Sequence, residues 1–157
     1  MRRTTDYQDS LTISLTCPPP PMEAVITAFF QGAPRWLDAL MALRNALVRP
    51  LGLKTGPVGP EALKPPFAVG GAIGLFRIVA LTEREVVLGE DDRHLDFRVT
   101  LRVARQDLGA SVDVETWVRP HNRLGRWYLA LVLPVHRHIV PVVAANMARR
   151  LEALAVA

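Results

Sequence analysis

Between residues 94 and 119 two alternating runs fold back on each other, and few architectures accommodate that pattern. Leu95, Phe97, Val99, Leu101 and Val103 share one face of an extended strand, while His94, Asp96, Arg98, Thr100 and Arg102 share the other, because successive strand side chains point to opposite sides. A turn over residues 106–109 returns the chain through residues 110–119. With four residues in that turn, Arg102 falls opposite Asp113, Arg98 opposite Trp117 and Asp96 opposite Arg119. Each pair is favourable, as ions or as a cation over an indole, by about 0.2 to 1 kcal/mol. The same register places Val112, Val114, Thr116 and Val118 on the apolar face. Charge and hydrophobicity select one register, which predicts an antiparallel hairpin with one buried face.

The rest of the chain supplies partners for that face. Leu11, Ile13 and Leu15 alternate with Thr12, Ser14 and Thr16, a strand pattern that the prolines at 18–21 stop. Val25, Ile26, Phe29 and Phe30 predict a helix over Met22–Gln31, closed by Gly32 in the manner of a left-handed cap. Pro34 opens a second helix, Arg35–Val48, with Trp36, Leu37, Leu40, Leu43 and Leu47 as its apolar stripe. Residues 49–74 are rich in proline and glycine and predict an irregular connection, with one irregular strand near 67–69. A connection of that length also suits a flap over a pocket. Strands over 75–81 and 86–88 lead into the hairpin.

A long helix closes the chain. Asn122 is a good N-cap, so the helix should start at Arg123. At 100° per residue, Leu124, Tyr128, Leu131, Val135, Ile139 and Val142 form the stripe expected to face the sheet. Arg123, Arg126, Ala130, Arg137 and Ala144 fall on the opposite side. Pro134 and Pro141, seven residues apart, each remove a backbone hydrogen bond and should bend the helix in nearly one direction. The macrodipole disfavours Arg123 and Arg126 in the first turn. That predicts an acidic answer from Glu90, Asp91, Asp92 or an anionic ligand group.

Bulk properties exclude several classes. A chain of 157 residues suits one domain, 1–157, large enough to bury roughly two thirds of its unfolded surface. Half the residues are hydrophobic and 22% are charged, a balance that favours folding over disorder. The lone Cys17 excludes an intrachain disulfide and leaves no thiol pair for zinc, which suits a reducing, cytoplasmic setting. Asp6 and Asp9 break the pattern of an export signal. Residues 127–147 approach the length of a membrane span, but His136, Arg137 and His138 sit at their centre, so no span is expected. The net charge of +4 is concentrated after residue 116, where six arginines meet only Glu152. No dense basic face with aromatic readers accompanies it, which argues against nucleic acid.

The blocks Pro-Arg-Trp-Leu-Asp-Ala-Leu-Met-Ala-Leu-Arg-Asn at 34–45, Val-Leu-Gly-Glu-Asp-Asp-Arg-His-Leu-Asp-Phe at 87–97 and His-Asn-Arg-Leu-Gly-Arg at 121–126 resemble domain-of-unknown-function family 2867. That family is grouped with the START-like, helix-grip superfamily. The resemblance implies an α+β helix-grip fold: a curved antiparallel sheet, two short helices after the first strand, and a long C-terminal helix on the concave face. It also implies an apolar ligand between sheet and final helix, and some members of the superfamily are cyclases or aromatases. The family offers no catalytic residues to carry over.

No motif for catalysis, metal or cofactor stands out in the residues themselves. His136 and His138 project about 200° apart on a helix and do not make a metal pair. His94, Asp96 and Arg98 combine a base, an acid and a cation, but on the outer face of the hairpin. The expected function is binding of an apolar or amphipathic small molecule, lined by Phe97, Val99, Thr116, Val118, Tyr128, Leu131, Val135 and His138. Two alternatives stay open. One is a cyclase- or dehydratase-like enzyme using Tyr128 or His138 as acid or base, and the other is a homodimeric interaction module with apolar surface beside Leu133 and Val140.

Overall fold

The hairpin forms in the register that its charges and apolar residues select. In a computed structural model, which describes residues 7–52, 63 and 65–156, strands β5 (Leu95–Gln106) and β6 (Gly109–Pro120) pair Arg102 with Asp113, Arg98 with Trp117 and Asp96 with Arg119. Strand β1 (Tyr7–Leu15) adds to β6, placing Leu11 beside Val114 and Ile13 beside Val112. On the other side follow β4 (Glu85–Asp91), β3 (Phe76–Leu81) and the short β2 (Ala72–Ile73). The result is a six-stranded antiparallel sheet in the order β1-β6-β5-β4-β3-β2.

Between β1 and β2 the chain forms α1 (Met22–Gln31), α2 (Arg35–Val48) and a 3-10 turn, Arg49–Leu51. The irregular strand expected near 67–69 is displaced to Ala72–Ile73. Residues 53–62 and 64 of the proposed flap lie outside the described residues. The last element, α3 (Arg123–Ala155), begins where Asn122 predicts, with the Asn122 side chain accepting from the Gly125 N–H at 2.9 Å. It runs through both Pro134 and Pro141. One strand, two helices, an antiparallel sheet and a long closing helix on its apolar face make the helix-grip arrangement.

The main core lies at one end of this sandwich. Val25 and Ile26 of α1, Met147 and Leu151 of α3, and Val86, Leu88, Leu101, Val112 and Val114 of the sheet are all buried together. Gly32 contributes differently from expectation. Its φ of −72° is right-handed rather than left-handed, and its missing side chain lets α1 touch α3, since a Cβ would stand 2.9 Å from the Val143 carbonyl oxygen. Asn146 Nδ2 donates to the Gly32 carbonyl at 2.8 Å across the same contact. The C-terminal half of α3 is thereby sealed against both α1 and the sheet.

Candidate functional site

The N-terminal half of α3 is seated differently. The fully buried residues of the helix are Gly125, Val143, Ala144, Met147 and Leu151, so none of residues 126–142 is buried. Gly125 anchors one end: a Cβ there would fall on the His94 carbonyl oxygen, and Asn122 Nδ2 lies 2.9 Å from His94 Nδ1. The sealed half anchors the other. Between them, the helix lies over the end of the sheet carrying Tyr7, Asp9 and Leu11 of β1, Thr116 and Val118 of β6, and Phe97 of β5, all on one face.

The expected lining residues divide on this geometry. Val99, Thr116 and Val118 are buried on the helix-bearing face of the sheet, and Phe97 is half-buried there. Phe97 ends an edge-to-face aromatic chain through Phe76 to Phe30, with centroids 5.5 and 5.4 Å apart. On α3, Tyr128 and Val135 are half-buried. Leu131 is 58% exposed, and His138 is exposed as well. The predicted stripe is therefore turned by about one residue. Leu131 and Val142 face outward, whereas Gly125, Val143 and Ala144 face the protein. Small residues decide this phase, because the closest helix-to-strand contact goes to the residue without a side chain.

The turn of the helix brings His136 inward in place of His138. Tyr7 donates its hydroxyl to Asp9 Oδ2 at 2.5 Å, and the same carboxylate oxygen lies 3.6 Å from His136 Nε2. The Tyr7 and His136 rings meet edge to face, with centroids 6.1 Å apart. His136 Nε2 is buried and has no hydrogen-bond partner among the described residues. Burial pushes the imidazole pKa below its ordinary value, partly opposed by the Asp9 carboxylate. Burial also raises the Tyr7 phenol, helped by Asp9 and opposed by the Arg137 guanidinium. Neither Tyr7 nor Asp9 stands out in the sequence. What could have flagged them is the period of two extending back from Leu11, which puts Asp9 on the apolar face.

The outer face of the sheet holds a charge ladder. Although Arg102 and Asp113 are backbone neighbours, Arg102 Nε donates to Glu85 at 2.8 Å, and Asp113 accepts from Thr12 at 2.6 Å. Arg98 donates to Asp91 at 2.7 Å rather than covering Trp117, whose ring instead lies 5.0 Å from the Arg119 guanidinium. Asp96 meets His121 at 2.9 Å, and His94 Nε2 meets the Leu51 carbonyl at 3.1 Å. His94, Asp96 and Arg98 are thus engaged separately. Asp91 serves Arg98, and Glu90 lies 3.4 Å from Arg77, in place of the expected role against Arg123 and Arg126. Among the described residues, no three of His, Cys, Asp and Glu converge as a metal site.

Two surface depressions stand out, and neither lies between the sheet and the first half of α3. One, of 330 Å³, is bounded by Glu23, Thr27 and Gln31 of α1 and by Arg150 and Leu154 of α3. The other, of 610 Å³, lies at the far end of β1, β5 and β6, near Ser14, Gln106 and Ala110.

The sequence matches a family model described as a protein of unknown function, DUF2867, over residues 1–143. The chain belongs to that family. Among solved structures, protein CV1439 from Chromobacterium violaceum is 16% identical with a TM-score of 0.46, the match covering 94% of this chain and 96% of that one. Protein MLL2253 from Mesorhizobium loti is 12% identical at a TM-score of 0.48, covering 94% and 98%. The di-domain ARO/CYC protein StfQ of the steffimycin biosynthetic pathway is 13% identical at 0.44, and the match spans 98% of this chain but 52% of StfQ. The fold assignment for this DUF2867 protein rests on its own element order and register, not on these distant likenesses. Comparison with curated proteins finds no match.

Proposed function

We propose that this DUF2867 domain binds an amphipathic small molecule between the apolar face of the sheet and residues 126–142 of α3. One observation carries the reading: α3 is clamped at Gly125 and again from Val143 onward, yet buries no residue fully in between. Pro134 and Pro141 both lie in that span and each removes a backbone hydrogen bond. Few buried contacts make this the part of the helix that opens at least cost. On the sheet beneath it, Phe97 and Val118 supply apolar surface and Asp9 a polar group, while the span itself contributes Tyr128, Val135 and His136, the mixture that ligand sites use. Leu131 and His138 belong to the outer surface and leave the proposed lining.

The test is hydrogen exchange followed by mass spectrometry, with 1-methylnaphthalene and 1-naphthol as probes. Amides of residues 126–142 should exchange faster than those of 143–155 in the free protein and slow when a probe is added. Uniform exchange along α3, unchanged by either probe, would end the reading.

For the enzyme alternative, the two named residues differ in placement. Tyr128 accepts a hydrogen bond from Arg44 Nε at 2.7 Å and keeps its own O–H to donate, whereas His138 is exposed. Homodimerisation keeps support from a specific observation, the large apolar side chains exposed along α2 and α3.

A further inference from the structure

We infer that Asp9 and His136 together form a recognition point for a hydroxyl group on an otherwise apolar ligand. This rests on the binding site proposed above and adds the chemical class of what enters it. Asp9 lies on the apolar face of β1, level with Thr116 of β6, and His136 comes down onto it from α3. Their side chains are 35% and 22% exposed, but His136 Nε2 itself is buried, so a ligand reaches that atom when residues 126–142 of α3 lift from the sheet.

At 3.6 Å the carboxylate oxygen and the imidazole nitrogen attract but do not hydrogen-bond. Burial favours the neutral ring. Facing a carboxylate, a neutral imidazole gains by carrying its proton on Nε2, so that nitrogen is a donor with no hydrogen-bonded acceptor among the described residues. Asp9 is the complementary case. Its Oδ2 accepts from Tyr7, and a carboxylate has about four lone-pair sites, so accepting capacity remains.

A group that satisfies both must accept from one atom and donate to the other. A hydroxyl does this, whereas an ether or a ketone only accepts and an ammonium only donates. The geometry closes as well. An oxygen about 2.8 Å from each atom, the usual hydrogen-bond length, completes a triangle on the 3.6 Å base. The rings of Tyr7 and His136, set edge to face, and the half-buried Leu11 beyond Asp9 favour an apolar body behind that hydroxyl. The ligand class is therefore an alcohol, phenol or enol on a hydrophobic frame.

The experiment compares 1-naphthol with 1-methylnaphthalene, close in shape but different in hydrogen bonding, by titration against the whole protein. The wild type should bind the naphthol about tenfold more tightly, the equivalent of one well-made hydrogen-bonding group. His136→Leu and Asp9→Val should each bring the two affinities together by removing the advantage of 1-naphthol over 1-methylnaphthalene. Using two variants on different elements, each checked for a cooperative melt, separates loss of recognition from loss of fold. Equal binding of both probes by the wild type would overturn the hydroxyl assignment and leave the binding site standing. A naphthol preference that survives both substitutions would overturn it too. Failure of both probes to bind, or to slow exchange in residues 126–142, would overturn the site and the assignment together.

Discussion

At His136 two forces oppose each other. Burial works against a charge on the ring, and the Asp9 carboxylate 3.6 Å away works in favour of one. Burial is the larger, so the folded-state pKa lies below the ordinary imidazole value of 6.5. The unfolded chain then takes up a proton at a higher pH than the folded chain, and stability rises with pH across the interval between the two values. This contribution is complete above about pH 6.5 and is lost as the pH falls toward the folded-state value. Thermal melts at pH 7.5 and pH 5.5 should show a drop in the wild type that is smaller in His136→Leu. At pH 7.5 the leucine variant should be at least as stable as the wild type, because a buried donor without a partner costs about 1 to 3 kcal/mol. An equal drop in both proteins would show that His136 does not titrate as its burial requires.

At the scale of elements, the phase of α3 is the decisive quantity. Alanine normally improves on glycine inside a helix by about 1 kcal/mol. Gly125→Ala should do the reverse, because the new methyl would fall on the His94 carbonyl oxygen. We expect a loss of about 1 to 3 kcal/mol, typical of overpacking, read as a lower urea midpoint at unchanged slope. A stabilised variant would mean that the helix meets the sheet elsewhere.

The same contact explains what the sequence made legible and what it concealed. Proline and glycine punctuate Met22–Gln31 and Arg35–Val48, and Asn122 caps α3, so those boundaries could be read directly. The β5–β6 register was legible because two independent patterns selected it. The phase of α3 was not, since apolar periodicity weighs large residues such as Leu131 while Gly125 and Ala144, nearly silent in any hydrophobic pattern, make the contacts. The ion pairs were misread for a related reason. Glu85 and Asp91 of β4, which take Arg102 and Arg98, lie outside the three residues, 86–88, that read as strand. Tyr7 and Asp9 were hidden by distance, as they meet His136 across more than a hundred residues of chain.

At the scale of the whole molecule, the unusual quantity is apolar surface left outside. Trp36 is 53% exposed and Leu47 is 63% exposed on α2, and Trp127 is 59% exposed on α3. Leu43 and Leu131 are exposed with them. A hydrogen bond from Arg44 of α2 to the Tyr128 hydroxyl of α3 links the two helices that carry these side chains. Contiguous apolar surface is what protein interfaces cover, with Trp prominent among their energetic anchors. If a second copy covers it, sedimentation equilibrium at micromolar concentration should give twice the mass of the chain. The double substitution Leu43→Glu and Leu47→Glu should return it to monomer without lowering the melting temperature of the monomer, since both side chains already face solvent. A stable interface of this kind buries about 1,200 to 2,000 Å², enough for two buried carboxylates to disrupt. A wild type that sediments as a monomer would remove the homodimer.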